Sequence, residues 1–124
     1  MQSRISKKRV YVAGAYSGPD VVTILSNMRR GFQLSAATLK CGFAVYSPWT
    51  DCLLHFQEQF DLEQCYAYAM PWLEVADAVL VVEHNWRQSQ GTQAEVTRAR
   101  ELGIPVFFDL GDLCEWSDGT GIHD

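Results

Sequence analysis

The run Ala78-Val79-Leu80-Val81-Val82, set between Asp77 and Glu83, constrains the fold of this chain more than any other stretch. Apolar residues in unbroken succession, without the alternation of a half-exposed strand, indicate a strand buried on both faces, as in parallel sheets. A short polar loop follows, and Thr92-Gln93-Ala94-Glu95 then opens a helix ending near Leu102-Gly103. In open α/β sheets, ligands bind beyond the carboxyl ends of the strands. The turn that holds Ser89, Gly91, Thr92 and Glu95 is therefore the first place to expect a site.

Two readings of that turn stand side by side. Thr92 followed by Glu95 fits a capping box, in which hydroxyl and carboxylate each take an orphan backbone N–H. A glutamate in a first helical turn also suits the helix dipole. Ser89, Gly91 and Thr92, however, supply more hydroxyls and a closer backbone approach than a cap requires, at a helix end able to hold an anion.

The rest of the chain alternates in the same way. Arg9 to Gly14 reads as a first strand, and Ala15 to Asp20 as the loop after it. Val21, Leu25, Met28, Phe32, Ala36 and Leu39 then recur at helical spacing, which predicts a helix with one apolar stripe on the core. Arg29 and Arg30 fall off that stripe. Gly42 stops the helix, Phe43 to Ser47 is the second strand, and Pro48 ends it. Residues 52–60 fit a loop or a short helix over the site. Asp61 to Ala76 reads as a helix that Pro71 should break or kink. Ile104 to Phe108 is a fourth strand, Gly111 to Trp116 one more helical turn, and Ser117 to Gly121 a flexible tail. The expectation is a single α/β domain over 1–124: a doubly wound parallel sheet of four to five strands, flavodoxin- or Rossmann-like. Its core spans about 9–110, with 111–124 a short C-terminal extension. In a strand order 2-1-3-4, the loops Gly14–Gly18 and Glu83–Gly91 would face each other across one crevice.

Composition narrows the function. The chain has 124 residues, 48% of them apolar and 20% charged, as expected for a soluble globular protein. A net charge of −5, with Asp109, Asp112, Glu115, Asp118 and Asp124 near the end, argues against a nucleic-acid polymer as partner. A single nucleotide or nucleoside is still allowed. No apolar run is long enough to span a membrane, and the basic start, Arg4 to Arg9, leads into a strand rather than a signal-peptide core. The expected location is cytoplasmic. Cys41, Cys52, Cys65 and Cys114 show no metal-binding spacing and read as free buried thiols. His55, His84 and His123 are scattered. No metal and no cofactor is expected.

The segments RVYVAGAYSG, WLEVADAVLVVE and NWRQSQGTQAEVTRARELGIPVF resemble the nucleoside 2-deoxyribosyltransferase superfamily, over roughly residues 9–110. The likeness is to its small, phage- or prophage-type members, related to deoxynucleoside 5′-monophosphate N-glycosidases. The S-x-G-T-x-x-E element, Ser89 to Glu95, is its specific part. The resemblance implies that Glu95 attacks the anomeric carbon of a 2-deoxyribose and forms a glycosyl-enzyme intermediate, as in retaining glycosidases. It implies that Gly91 and Thr92 wrap the sugar, and that Gly14, Ala15, Tyr16 and Ser17 form the opposite wall. Ser89 resembles the serine that holds a 5′-phosphate in the nucleotide N-hydrolases, where transferases place an aspartate. The substrate implied is thus a deoxynucleoside or its 5′-monophosphate, with the monophosphate favoured because an aspartate would repel it and a serine does not. A homo-oligomer, its sites completed by a neighbouring subunit, is also implied.

The chain departs from the pattern at one position. Many relatives carry an aspartate on the helix before the third strand, where this chain has Ala69. Asp51 is the nearest candidate to replace it as general acid, and it reads equally as a loop cap. Asp77 reads as structural. Trp49, Trp72 and Trp86 are candidates for base stacking or for core, and Arg87 for a phosphate contact or a solvated charge. Beside cleavage or transfer at an N-glycosidic bond stands a second function: a nucleotide-binding module of the same fold that has lost turnover.

Overall fold

The structure, a computed structural model, describes residues 7–119. Its elements run β1 (Arg9–Ala13), α1 (Val21–Lys40), β2 (Ala44–Tyr46), a 3₁₀ segment (Pro48–Phe56), α2 (Leu62–Glu74), β3 (Ala78–Val81), a 3₁₀ turn (Trp86–Gln88), α3 (Gln90–Glu101), β4 (Val106–Phe107) and α4 (Leu110–Gly119). The four strands form one all-parallel sheet in the order β2-β1-β3-β4, with Val10 opposite Val45 and Ala78, and Leu80 opposite Phe107. This is the doubly wound α/β fold expected, in the expected order.

Alternation along the central strands divides the core in two. Val10, Val12, Ala78 and Leu80 point to one face and pack with Phe43, Trp49 and Leu113. Tyr11, Ala13, Val79 and Val81 point to the other and pack with Leu73, Val96 and Ala99. The first face lies under α1 and α4, the second under α2 and α3. Buried on both sides, β3 needs apolar residues throughout, which explains its unbroken run.

Helix α1 does not lie as its sequence pattern predicts. The stripe Val21, Leu25, Met28, Phe32, Ala36 and Leu39 was expected on the core, yet only Met28 packs against it. Val21, Leu25, Phe32, Ala36 and Leu39 are exposed. The buried residues are Asn27, Gly31, Ser35 and Thr38. Hydrogen bonds make that polar stripe tolerable inside: Asn27 Nδ2 donates to the Ser17 carbonyl, Ser35 Oγ to Ser47 Oγ, and Thr38 Oγ1 to the Leu34 carbonyl. At Gly31 the indole of Trp49 presses against the helix so closely that an added Cβ would stand 2.3 Å from Trp49 Cδ2.

Three smaller expectations also change. Helix α2 continues without a break through Pro71 to Glu74, although a proline there supplies no N–H to the carbonyl four residues earlier. Helix α4 runs to Gly119 with Ser117 buried, so 117–119 are helical rather than tail. Thr120 and Gly121 of that predicted tail lie outside the described residues. Cys41 is exposed at the end of α1, not buried, while Cys65 and Cys114 are half-buried; all three are free thiols. Among the described residues no helix is long and apolar enough to cross a membrane.

Candidate functional site

The start of α3 removes the capping reading of Glu95. Ser89, not Thr92, is the N-cap: its Oγ accepts from the Thr92 backbone N–H at 3.2 Å and from Thr92 Oγ1 at 2.8 Å. The helix begins at Gln90, so Glu95 lies inside its second turn and takes no part in capping. Its carboxylate turns inward, 6% exposed, and accepts a 2.5 Å hydrogen bond from the Tyr11 hydroxyl on β1. Burial pushes the Glu95 carboxyl up to about 7, against the pull of the Tyr11 O–H, which favours the charged form. Burial, and then the adjacent Glu95 charge, hold the Tyr11 phenol well above its ordinary range. Tyr11 therefore remains a donor.

Glu95 opens on a small inner pocket of about 40 Å³ at the carboxyl end of β1, lined also by Tyr11, Gly14, Tyr16, Trp49, Asp51, Tyr68 and Ala69. The space suits water rather than a nucleobase. Asp51 reaches it from the 3₁₀ segment, which begins at Pro48, four residues before the stretch 52–60 read as a loop or a short helix, and ends at Phe56. Its carboxylate accepts a hydrogen bond from the Tyr46 hydroxyl. The Tyr11 and Tyr46 rings stack with centroids 5.4 Å apart, so two tyrosine–carboxylate pairs stand together. Tyr68 also faces Asp51. Its hydroxyl is buried, makes no hydrogen bond of good geometry, and is pushed up to about 12, first by burial and then by the Asp51 charge. Ala69 lines this pocket too, so an aspartate at that position would face the same space.

A larger crevice of about 640 Å³ lies on the other side of the loop after β1. Ala15, Ser17, Gly18 and Asn27 line one wall, and Asn85, Ser89 and Gly91 the other. The two loops expected to face each other do so. Successive residues of the first divide between the spaces: Gly14 and Tyr16 line the pocket, Ala15 and Ser17 the crevice. Gly91 and Glu95, one turn apart on α3, divide likewise. Among the described residues, the crevice lining carries no ionisable side chain, whereas the pocket holds two carboxylates. Thr92 alone among the predicted site residues lines neither space; it is 1% exposed, its hydroxyl donated to Ser89.

The remaining candidates fall elsewhere. Trp49 is the exception: it is core, its Nε1–H donated to the Ala15 carbonyl at 3.2 Å, and it also lines the inner pocket. Trp72 is exposed and stacks on Tyr46, and Trp86 packs on Phe108. The Arg87 guanidinium lies over the Trp86 ring, 5.2 Å from its centroid, rather than over the crevice. Asp77 accepts from the Arg9 backbone N–H at 2.7 Å and is structural. Among the described residues, no three His, Cys, Asp or Glu side chains are grouped to hold a metal.

Sequence reasoning missed Tyr11, Tyr46 and Tyr68, along with His55 and Cys65. His55 Nε2 and Cys65 Sγ stand 3.5 Å apart at the pocket. Burial, with Asp51 and Asp61 beside it, pushes the Cys65 thiol up, away from the thiolate form. A signal existed only for Tyr11: a phenol among the β-branched residues of a central strand is a polar group that must find a buried partner.

No curated protein matches the chain. A family profile does, that of DUF4406, described as a domain of unknown function, over residues 8–108. That span takes in every strand of the sheet, both walls of the crevice and the carboxylate pocket. The chain belongs to the DUF4406 family.

Proposed function

We propose that the protein cleaves or transfers the N-glycosidic bond of a 2′-deoxynucleoside or its 5′-monophosphate, with Glu95 as nucleophile. The observation that carries this reading is a buried carboxylate at the carboxyl end of the sheet. It is held by one phenol, raised to about 7, and serves no cap. Such a group weakens the fold when it ionises, and perturbed carboxylates in clefts are characteristic of active sites. In the first step a Glu95 oxygen bonds to the anomeric carbon as the bond to the base nitrogen breaks, and the base leaves with a proton. In the second, water or another base attacks that carbon, the bond to Glu95 breaks to give back its carboxylate, and the proton lost by the attacking group restores the group that protonated the first base. Asp51 and Tyr68 line the same pocket as Glu95, which supports a role for one of them toward the leaving base. Asp51 accepts from the Tyr46 hydroxyl, and the Tyr68 hydroxyl beside it is a second candidate to give the base its proton.

The uncharged crevice beside the N-terminus of α3 favours a phosphate on the sugar. Ser89 and Gly91 lie there, where helix ends attract anions, and the carboxylates are kept to the other space. Entry of the base requires the 40 Å³ pocket to widen. A second reading rests on Ala69: with no carboxylate at that position in the pocket, the site would bind nucleotides without turning them over.

Free base measured by chromatography, from each deoxynucleoside and each 5′-monophosphate, with and without a second base, tests both. Base released from monophosphates alone, and lost in Glu95→Ala by at least about a thousandfold, is the expected result, since such a variant lacks the covalent step. Exchange that needs an added base would make the protein a transferase. Binding without release would leave the second reading.

The nucleophile must be charged, so kcat/KM should rise with pH through about 7. Tyr11→Phe removes the one hydrogen bond that favours the charged form. A hydrogen bond to a charged group contributes about 1.5–3 kcal/mol, so the ascending limb should move about one to two pH units higher, with kcat at high pH less affected. A pH–rate profile of both proteins checks this.

A further inference from the structure

Two thiols meet where α1 ends and α4 crosses the same face of the sheet. Cys41 is the C-cap of α1, its backbone N–H donated to the Ala37 and Thr38 carbonyls at 3.2 and 3.1 Å. Gly42, with φ +99°, turns the chain there, and Phe43 enters the core. Leu113 of α4 packs in the same core cluster as Phe43, and Cys114, the next residue, rests against that cluster. Buried neighbours on both elements therefore fix the meeting of the two cysteines. Cys114 donates its S–H to Cys41 Sγ. Burial, and then this contact, push the Cys114 thiol up, with Asp118 and Asp109 adding to the effect.

Neither cysteine lines the carboxylate pocket or the crevice, so the pair serves neither space. Among the described residues no metal-binding group of three includes them. Their exposures differ: Cys41 is exposed and Cys114 half-buried, so an oxidant meets Cys41 first. An accessible thiol beside a second, sheltered one is the arrangement in which the second resolves what the first has captured. We propose that Cys41 and Cys114 close into an intramolecular disulfide under oxidising conditions, a reversible covalent staple between α1 and α4. The co-reactant is a small aliphatic disulfide. The Cys41 thiolate attacks one of its sulfurs, the S–S bond breaks, and one small thiol leaves. Cys114 then attacks the Cys41 sulfur of the mixed disulfide and displaces the second small thiol. Two cysteine thiols are oxidised, one disulfide is reduced, and both cysteine protons pass to the departing thiols. The loop so closed is about 70 residues long, and restricting it in the unfolded chain favours the folded one.

Oxidised glutathione at about 5 mM, added to the folded and previously reduced chain, tests the proposal. Peptide mapping without reductant should recover one cross-link, joining the Cys41 and Cys114 peptides. The Tm of the cross-linked chain should rise by about 10 °C, and dithiothreitol should return it to its starting value. Cys41→Ser and Cys114→Ser should each lose both the cross-link and the rise. The cross-link is read on the wild-type chain, so the result stands even where a variant fails to fold. Glutathione held on Cys41 with no cross-link overturns the proposal. So does pairing with Cys52 or Cys65, or a Tm that falls on cross-linking, since thiols already in contact in the native fold close without distorting it.

Discussion

The stability advantage of a Glu95→Gln protein over the wild type should grow by on the order of 3 kcal/mol between pH 4 and pH 8, and the proposed glycosidic turnover should be lost with it. The Glu95 carboxyl moves from an ordinary 4.5 to about 7 in the fold, chiefly through burial. Between those values the folded chain holds a proton that the unfolded chain has released. Stability from this group is therefore fully present below about 4.5 and is lost as pH rises to about 7. Glutamine keeps the shape and an acceptor for Tyr11 but never ionises. Comparing the two proteins across pH cancels whatever its buried amide itself costs. Urea denaturation at both pH values measures the change. A difference that stays constant would mean that Glu95 ionises at an ordinary pH and is poised for nothing.

Trp49→Ala should cost about 3–5 kcal/mol of stability, the range for large aromatic truncations in a core, and should loosen the loop between the two cavities. The ring is 1% exposed, seated between α1 and the end of β1, and its N–H holds the Ala15 carbonyl. Gly31 and Gly14 both lack side chains where it sits; a Cβ at either would stand within 3 Å of the indole. A coupled effect follows. In the wild type, Gly31→Ala overpacks the contact and should cost about 1–3 kcal/mol despite the better helix propensity of alanine. In the Trp49→Ala background the same change meets an empty space and should stabilise by up to about 1 kcal/mol. The reversal of sign in a double-mutant cycle identifies the contact itself rather than a general intolerance of the helix.

These two residues show how unevenly the sequence reveals the molecule. The sheet was legible because β3 must be apolar on both faces, and because strand–helix alternation with short loops permits few arrangements. The facing of the two loops followed from strand order alone. The orientation of α1 was not legible. Periodicity identifies a coherent apolar stripe but does not say what covers it, and the stripe that was buried instead is small and hydrogen-bonded. Glu95 was legible as a candidate by its place at a strand's carboxyl end. Its partner was not, since Tyr11 lies 84 residues away and no local pattern links them. Ser89 was legible as a polar residue of the turn, but its capping role was assigned to Thr92 because helix starts are ambiguous by a residue or two. The tyrosines around Asp51 depend on how β2, the 3₁₀ segment and α2 meet, which no spacing encodes.

The most direct test of the central claim is the mass of the protein itself, caught during turnover. Wild-type chain mixed with a deoxynucleoside 5′-monophosphate, quenched in acid within milliseconds and digested, should yield the Glu95 peptide heavier by one deoxyribosyl phosphate unit. The increment should vanish when the reaction runs to completion, and the Glu95→Gln chain should never acquire it. Base release at the full rate with the Glu95 peptide unmodified, or undiminished in Glu95→Gln, would contradict the assignment of Glu95 as nucleophile.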